Sequence, residues 1–267
     1  MSGLNGKVAI VTGAGSGGPG AGPGIGQTIA VALARGGAAV LIVDKDAERA
    51  DYTLREMEGL AGRGAIYVGD ITRRADCSAM VRAAVETFGG LDILVNNAAV
   101  ANHAAITETT EEMYDVTLAV NLKGTFLACQ QAIPALIERG GGSIVNIGSI
   151  VGIRDAGTGE TAYAASKAGQ LGLTVELAGA YGRDNIRVNA VLPGLISTPM
   201  LHAISTRVDE VRSKLNLLGR MGEAADVANV VCFLCSDEAA YITAVTFPVD
   251  GGATMAMPAS TFRNPRS

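Results

Sequence analysis

Seven short apolar runs alternate with helix-period stretches along this chain, and that alternation narrows the fold more than any single residue does. The runs are Val8–Val11, Ala38–Val43, Ala65–Val68, Leu91–Val95, Gly142–Ile147, Ile186–Val191 and Ala244–Val249. Between them, apolar spacing predicts helices over Gly24–Arg35, from an Asp46 cap to about Leu60, and over Arg73–Phe88, Glu111–Arg139, Thr161–Tyr181 and Ala224–Ser236. The segment Pro193–Gly222 reads as irregular or partly helical. Strands that are apolar throughout must be covered on both faces. Together with the alternation, this predicts an α/β fold, a doubly wound parallel sheet of about seven strands with helices on both faces. No linker divides the chain, so residues 1–267 are expected to form a single domain, with a lid segment at about 195–220 and a tail at about 254–267.

Hydrophobic residues make up 48% of the 267 and charged residues 18%, enough apolar material for one large core. The net charge of -5 and the lack of a dense basic run argue against nucleic acid as a partner. No apolar run is long enough to span a membrane and the start has no signal-peptide pattern, so a cytoplasmic protein is expected. Cys232 and Cys235 form a C-x-x-C, but they sit in an apolar helical run with no second pair at ligand spacing. They are expected to be buried core thiols, and no metal site is expected.

In such a sheet, ligands bind at the carboxyl ends of the strands. Asp44, Asp70, Asn96, Asn97, Ser149 and Pro193-Gly194 all fall just past strand ends and should line one crevice. The first strand runs into a glycine-rich stretch, Thr12 to Gly26, and then into a helix. That order seats a dinucleotide pyrophosphate in a Rossmann-type fold, because glycine admits the phosphates and the free N–H groups of the helix start face their charge. Asp44 follows Gly26 by eighteen positions. An acid there accepts hydrogen bonds from the ribose hydroxyls and repels a 2′-phosphate, which favours NAD over NADP.

Tyr163 and Lys167 stand at i and i+4 on one predicted helix face. Tyrosine has an ordinary pKa of about 10, and a neighbouring ammonium is expected to lower it toward use as a base. Ser149 precedes Tyr163 by fourteen residues, enough to cross the crevice mouth, and its hydroxyl would hold a substrate oxygen beside Tyr163. The set TG…GIG, NNAA, Asn121, GS, YAASK and PG-xxx-T resembles the short-chain dehydrogenase/reductase family over about residues 5 to 252. The resemblance implies Tyr163 as general acid/base. It implies Lys167 on the nicotinamide ribose, Ser149 orienting the reacting oxygen, and Asn121 holding a water that links Lys167 to solvent. It further implies a cofactor surface of Gly13, Gly24, Ile25, Gly26, Asp44, Asp70, Ile71, Asn97, Ala98, Pro193, Gly194, Ile196 and Thr198. A homotetramer or homodimer is also implied. Two departures stand out. NNAG is here Asn96-Asn97-Ala98-Ala99, and Gly13 to Gly24 spans eleven positions where the family pattern has four. The extra residues, within Gly17–Pro23, form either a tolerated surface extension or a flap over the cofactor.

The substrate side is expected around Ser149, Tyr163, Ile150, Arg154 and Met200. Arg154 is either a solvated loop charge or a clamp for a carboxylate or phosphate. His103 and His202 are expected at the pocket rim or the surface. The function expected is an NAD-dependent oxidoreductase that interconverts a secondary alcohol and its ketone by direct hydride transfer, in the oxidative direction. The alternatives are a carbonyl reductase of the 3-oxoacyl reductase type and a non-catalytic dinucleotide-binding protein on the same fold.

Overall fold

The computed structural model describes residues 3–15, 22–154, 159–199 and 216–255. The described strands of the main sheet are β1 (Val8–Thr12), β2 (Ala39–Asp44), β3 (Gly64–Val68), β4 (Ile93–Asn96), β5 (Gly142–Ile147) and β6 (Ile186–Pro193), with β9 (Thr246–Val249) at the far edge. Their order is β3-β2-β1-β4-β5-β6-β9, and every neighbouring pair is parallel. The chain therefore has the Rossmann-type doubly wound sheet that its alternating pattern predicts. A two-stranded pair, β7 (Ile196–Ser197) with β8 (Gly222–Glu223), lies in the segment read as irregular.

Successive strand residues face opposite sides of a sheet, and here both sides are buried. Ala9 and Val11 face one core with α1 (Ile25–Arg35) and α7 (Ala224–Cys235), which contribute Ile29, Leu33, Val227 and Val231. Val8 and Ile10 face the other, with Met80 and Val81 of α3 (Arg74–Phe88) and Leu127 and Leu136 of α5 (Thr125–Glu138). Cys232 and Cys235 are free thiols buried in the first core, as their apolar run predicts.

Two helices differ from the sequence expectation. The second, α2 (Ala47–Arg55), stops short of Leu60 in a turn that reaches Gly59 at φ +77°, a left-handed position that favours glycine. Asp46 caps its start as predicted, accepting from the amides of Glu48 and Arg49. The stretch 111–139 is not one α-helix: α4 (Glu111–Leu118) and α5 are joined by a π-helical turn over Ala119–Gly124. Apolar periodicity on either side hides such a turn, which is stabilised by side-chain bonds at Asn121. The remaining long helix, α6 (Thr161–Tyr181), follows the sequence reading.

Candidate active site

A cavity of about 650 Å³ opens at the carboxyl ends of the strands. It straddles the point between β1 and β4 where the strand order reverses. Asp44, Asp70 and Ile71 line one end; Gly13, Gly24, Ile25, Gly26, Asn97 and Ala98 line the middle. Ser149, Ile150, Arg154, Tyr163, Lys167, Pro193, Gly194, Ile196 and Thr198 line the rest. The fold thus brings together all the expected site residues that are described except Asn121, which sits behind the wall, fully buried. Met200, His202, residues 17–21 of the glycine insertion, residues 200–215 of the expected lid and residues 256–267 of the expected tail lie outside the described residues.

The middle of the cavity is shaped by glycine. Gly13 has φ +60°, and a Cβ there would meet the Ala98 Cα at 2.6 Å. A Cβ on Gly26 would collide with Asn97 Nδ2 and the Gly13 carbonyl. The helix α1 begins just beyond, with Gly24 as its N-cap, no side-chain cap and no acid in its first turn. Its leading N–H groups lack side-chain partners from the cap, which suits a bound phosphate. Asn97 holds this cradle rather than reaching into it: Nδ2 donates to the carbonyls of Thr12 (3.0 Å) and Gly13 (2.8 Å). The backbone at Ala99 is outside the left-handed region, so alanine fits where the family pattern has glycine. Asp44 Oδ2 accepts from the Gly15 amide at 2.8 Å, and Oδ1 accepts from the Asp46 amide at 3.1 Å. The carboxylate therefore ties the glycine loop to the end of β2 while lining the cavity. At the neighbouring strand end, Asp70 Oδ1 accepts from the amide and hydroxyl of Thr72.

At the other end, Ser149, Tyr163 and Lys167 converge from β5 and α6. The Ser149 hydroxyl oxygen accepts from the Val151 amide at 3.2 Å, which fixes it after the strand. Lys167 is 1% exposed and donates from Nζ to the Ile147 carbonyl at 2.7 Å. Its ammonium lies 5.5 Å from the centre of the Tyr163 ring. Burial, with no carboxylate partner among the described residues, brings Lys167 down to about 7. Tyr163 moves the other way, to about 12, pushed up by burial and by the Glu160 charge, against a hydrogen bond with the Ser149 side chain. The expected depression of Tyr163 by Lys167 is thus not realised in the protein alone. The same burial that weakens the ammonium also disfavours the phenolate.

The Asn121 side chain is committed to protein groups: Oδ1 accepts from the Val100 amide, and Nδ2 donates to the Val100 carbonyl and to Ser166 Oγ. The Lys167 ammonium also reaches the Asn121 carbonyl through the Gln170 side chain.

Sequence reasoning missed other lining groups. Arg49 lines the Asp44 end together with Lys45. The available signal was the Asp46 cap, which places Arg49 in the first turn of α2 directly after the strand end. Glu160 lines the Tyr163 end, and its carboxylate stands 3.6 Å from His103 Nε2. His103 is on the cavity rim, as expected. Arg154, exposed, lies at the same end. No cluster of three or more histidine, cysteine or carboxylate groups able to hold a metal occurs among the described residues.

The family model described as enoyl-(acyl carrier protein) reductase matches residues 20–254. The chain is 41% identical to the 3-oxoacyl-[acyl-carrier-protein] reductase FabG of Thermotoga maritima over 93% of its own length and 98% of that protein. It is 39% identical to the (3R)-3-hydroxyacyl-CoA dehydrogenase of Mus musculus, over 94% of its own length and 98% of the relative. A crystal structure of a short-chain dehydrogenase/reductase from Burkholderia xenovorans superposes with a TM-score of 0.90 at 38% identity, covering 96% of this chain and 99% of that one.

Proposed function

Because the chain belongs to the short-chain dehydrogenase/reductase family, we propose that it is an NAD(H)-dependent enzyme interconverting a secondary alcohol and its ketone, working in the oxidative direction. The observation that carries the reading is the convergence of Ser149, Tyr163 and Lys167 on one end of a cavity whose other end holds Asp44. The glycine cradle and the start of α1, which has no side-chain cap, fit a dinucleotide pyrophosphate, and Asp44 fits an unphosphorylated ribose. When bound, the nicotinamide dinucleotide supplies the hydride acceptor or donor.

The chain's own residues supply the rest. Ser149 Oγ holds the substrate oxygen beside Tyr163 Oη. In the oxidative direction the alcohol proton passes to the Tyr163 phenolate; in reduction the Tyr163 phenol donates its proton to the carbonyl oxygen. Lys167 donates to the cofactor ribose and supplies the positive charge nearest the phenol. The substrate lies against Ile150 and Arg154; Met200, the other expected substrate contact, is outside the described residues. Assembly as a homotetramer or homodimer is supported by the exposed apolar side chains Phe126 of α5 and Val175 of α6. A cytoplasmic location is consistent with there being no helix among the described residues long and apolar enough to cross a membrane.

A second reading has its own support. Tyr163 at about 12 holds its proton at neutral pH, the state that a ketone reductase needs, and Arg49 and Lys45 offer charge for a 2′-phosphate. The relatives' names make a 3-oxoacyl thioester the substrate to try in that direction and a 3-hydroxyacyl thioester in the other.

Titrating the protein with NAD and NADP separates the two. Wild type is expected to bind NAD more tightly. Asp44→Ala is expected to weaken NAD about 10- to 100-fold, the worth of hydrogen bonds to a charged acceptor, while NADP binding is unchanged or improved. Tighter NADP binding by the unaltered protein would overturn the cofactor assignment.

A further inference from the structure

Gln170 is 1% exposed and has all its polar atoms engaged. Its Oε1 accepts from Lys167 Nζ at 3.1 Å, and Nε2 donates to the Asn121 carbonyl and to Thr125 Oγ1, each at 2.8 Å. These partners fix which way the amide faces. Reversed, it would set an NH₂ group against the ammonium and an oxygen against the Asn121 carbonyl, losing both bonds. The Thr125 amide donates to the Leu122 carbonyl rather than to that of Asn121, which accepts from Thr125 Oγ1 and from Gln170 instead. Lys167 and Gln170 share a face of α6 at i and i+3. We propose that Gln170 is a positioning residue of the site: its carboxamide clamps the Lys167 ammonium against the Ile147 carbonyl and ties it to the Asn121 backbone.

The clamp leaves one of the three ammonium donors of Lys167 for the cavity that it lines. It is also neutral. A carboxylate in its place would hold Lys167 as a fixed cation, and an apolar side chain would remove an acceptor from a buried charge. The carboxamide oxygen accepts from the ammonium and, more weakly, from the amine, so Lys167 can gain and lose a proton near neutrality while keeping its place. The groups around Lys167 are Tyr163 one turn earlier on α6, Ser149 and the Ile147 carbonyl from the β5 side, and Asn121 and Thr125 behind Gln170. Glu160 and His103 lie at the Tyr163 end of the cavity. The role of Gln170 in turnover rests on the function proposed above, but its effect on Lys167 does not.

The chain has five lysines, so ε-carbon-labelled lysine resolves their titrations by NMR in the intact protein, with Lys167→Arg assigning the signal. Gln170→Met keeps the length and removes the acceptor, and is expected to lower the Lys167 midpoint by about one pH unit or more. Gln170→Glu keeps an acceptor oxygen, and its midpoint is expected at or above the wild-type value. In turnover, Gln170→Met should lower kcat more than it changes KM and shift the pH profile by the same amount. An unchanged Lys167 midpoint in Gln170→Met, or a shift in the same direction in both variants, would overturn the proposal. Should Gln170→Met fail to fold, Gln170→Glu decides, and a midpoint below wild type refutes the clamp. Failure of the proposed reaction shows up separately, as absent turnover with these titrations intact.

Discussion

Tyr163→Phe is expected to lower kcat/KM by about 10²- to 10⁴-fold, the range that a positioned general acid/base contributes. That corresponds to about 3–5 kcal/mol of transition-state stabilisation. The substitution removes one hydroxyl from the cavity and leaves the ring that packs beside Lys167. Dinucleotide affinity should therefore hold, because the glycine cradle lies in the middle of the cavity and Asp44 at its other end. Fluorescence titration with the dinucleotide checks the binding, and steady-state kinetics checks the loss. The wild-type profile should also depend on direction. With Tyr163 raised to about 12, reduction has its proton donor in place at neutral pH, whereas oxidation requires the phenolate and should accelerate as pH rises. Turnover of Tyr163→Phe at the wild-type rate would remove Tyr163 from the mechanism.

Lys167→Met is expected to cost about 10²- to 10³-fold in kcat/KM, as loss of a buried electrostatic group at a reacting centre does. It should also change how stability depends on pH. The unfolded lysine titrates at about 10.4, and the folded one at about 7 because it is buried. Below pH 7 both states carry the charge and the full cost of burying it is present. Between pH 7 and about 10 the unfolded chain holds a proton that the folded chain has lost, so stability climbs with pH. The slope approaches about 1.4 kcal/mol per pH unit for one proton. Above that window both states are neutral and the gain is complete. Burial raises the thiols Cys77 and Cys129 to about 11 and 12, which opposes the climb at alkaline pH. Those groups are common to both proteins and cancel in the difference. Denaturant unfolding of wild type and Lys167→Met from pH 6 to 10 should give a difference that grows with pH in favour of the wild type. A difference independent of pH would show that Lys167 is not held as a buried, weakened ammonium.

Much of the site was legible because each residue sits where a local pattern ends. Gly13 closes an apolar strand, Asp44 ends the next, Ser149 follows the fifth, and Tyr163 and Lys167 share a helix face by spacing alone. Parallel strands put all those ends on one side of the sheet, so reading the strands located the cavity. What escaped depends on contacts between distant segments. Gln170 looks like an ordinary polar position on α6, and only its neighbours at Asn121 and Thr125 give it a role. Arg49 reads as a surface helix charge until the α2 cap aims its turn at the end of β2. The raised Tyr163 is a burial effect, and burial at an i, i+4 pair cannot be read from spacing. The π turn was hidden by regular helical periodicity on both sides of it.

The central claim is direct hydride transfer at the Ser149–Tyr163–Lys167 end of the cavity. It is tested by supplying NADH stereospecifically deuterated at the nicotinamide C4, one face at a time, with acetoacetyl-CoA as the ketone and Tyr163→Phe as the control. One of the two labelled forms is expected to place deuterium on the carbinol carbon of the 3-hydroxy product, with a slower rate than unlabelled NADH and no deuterium lost to water. Product without the label from either form, or label transfer undiminished in Tyr163→Phe, would contradict it.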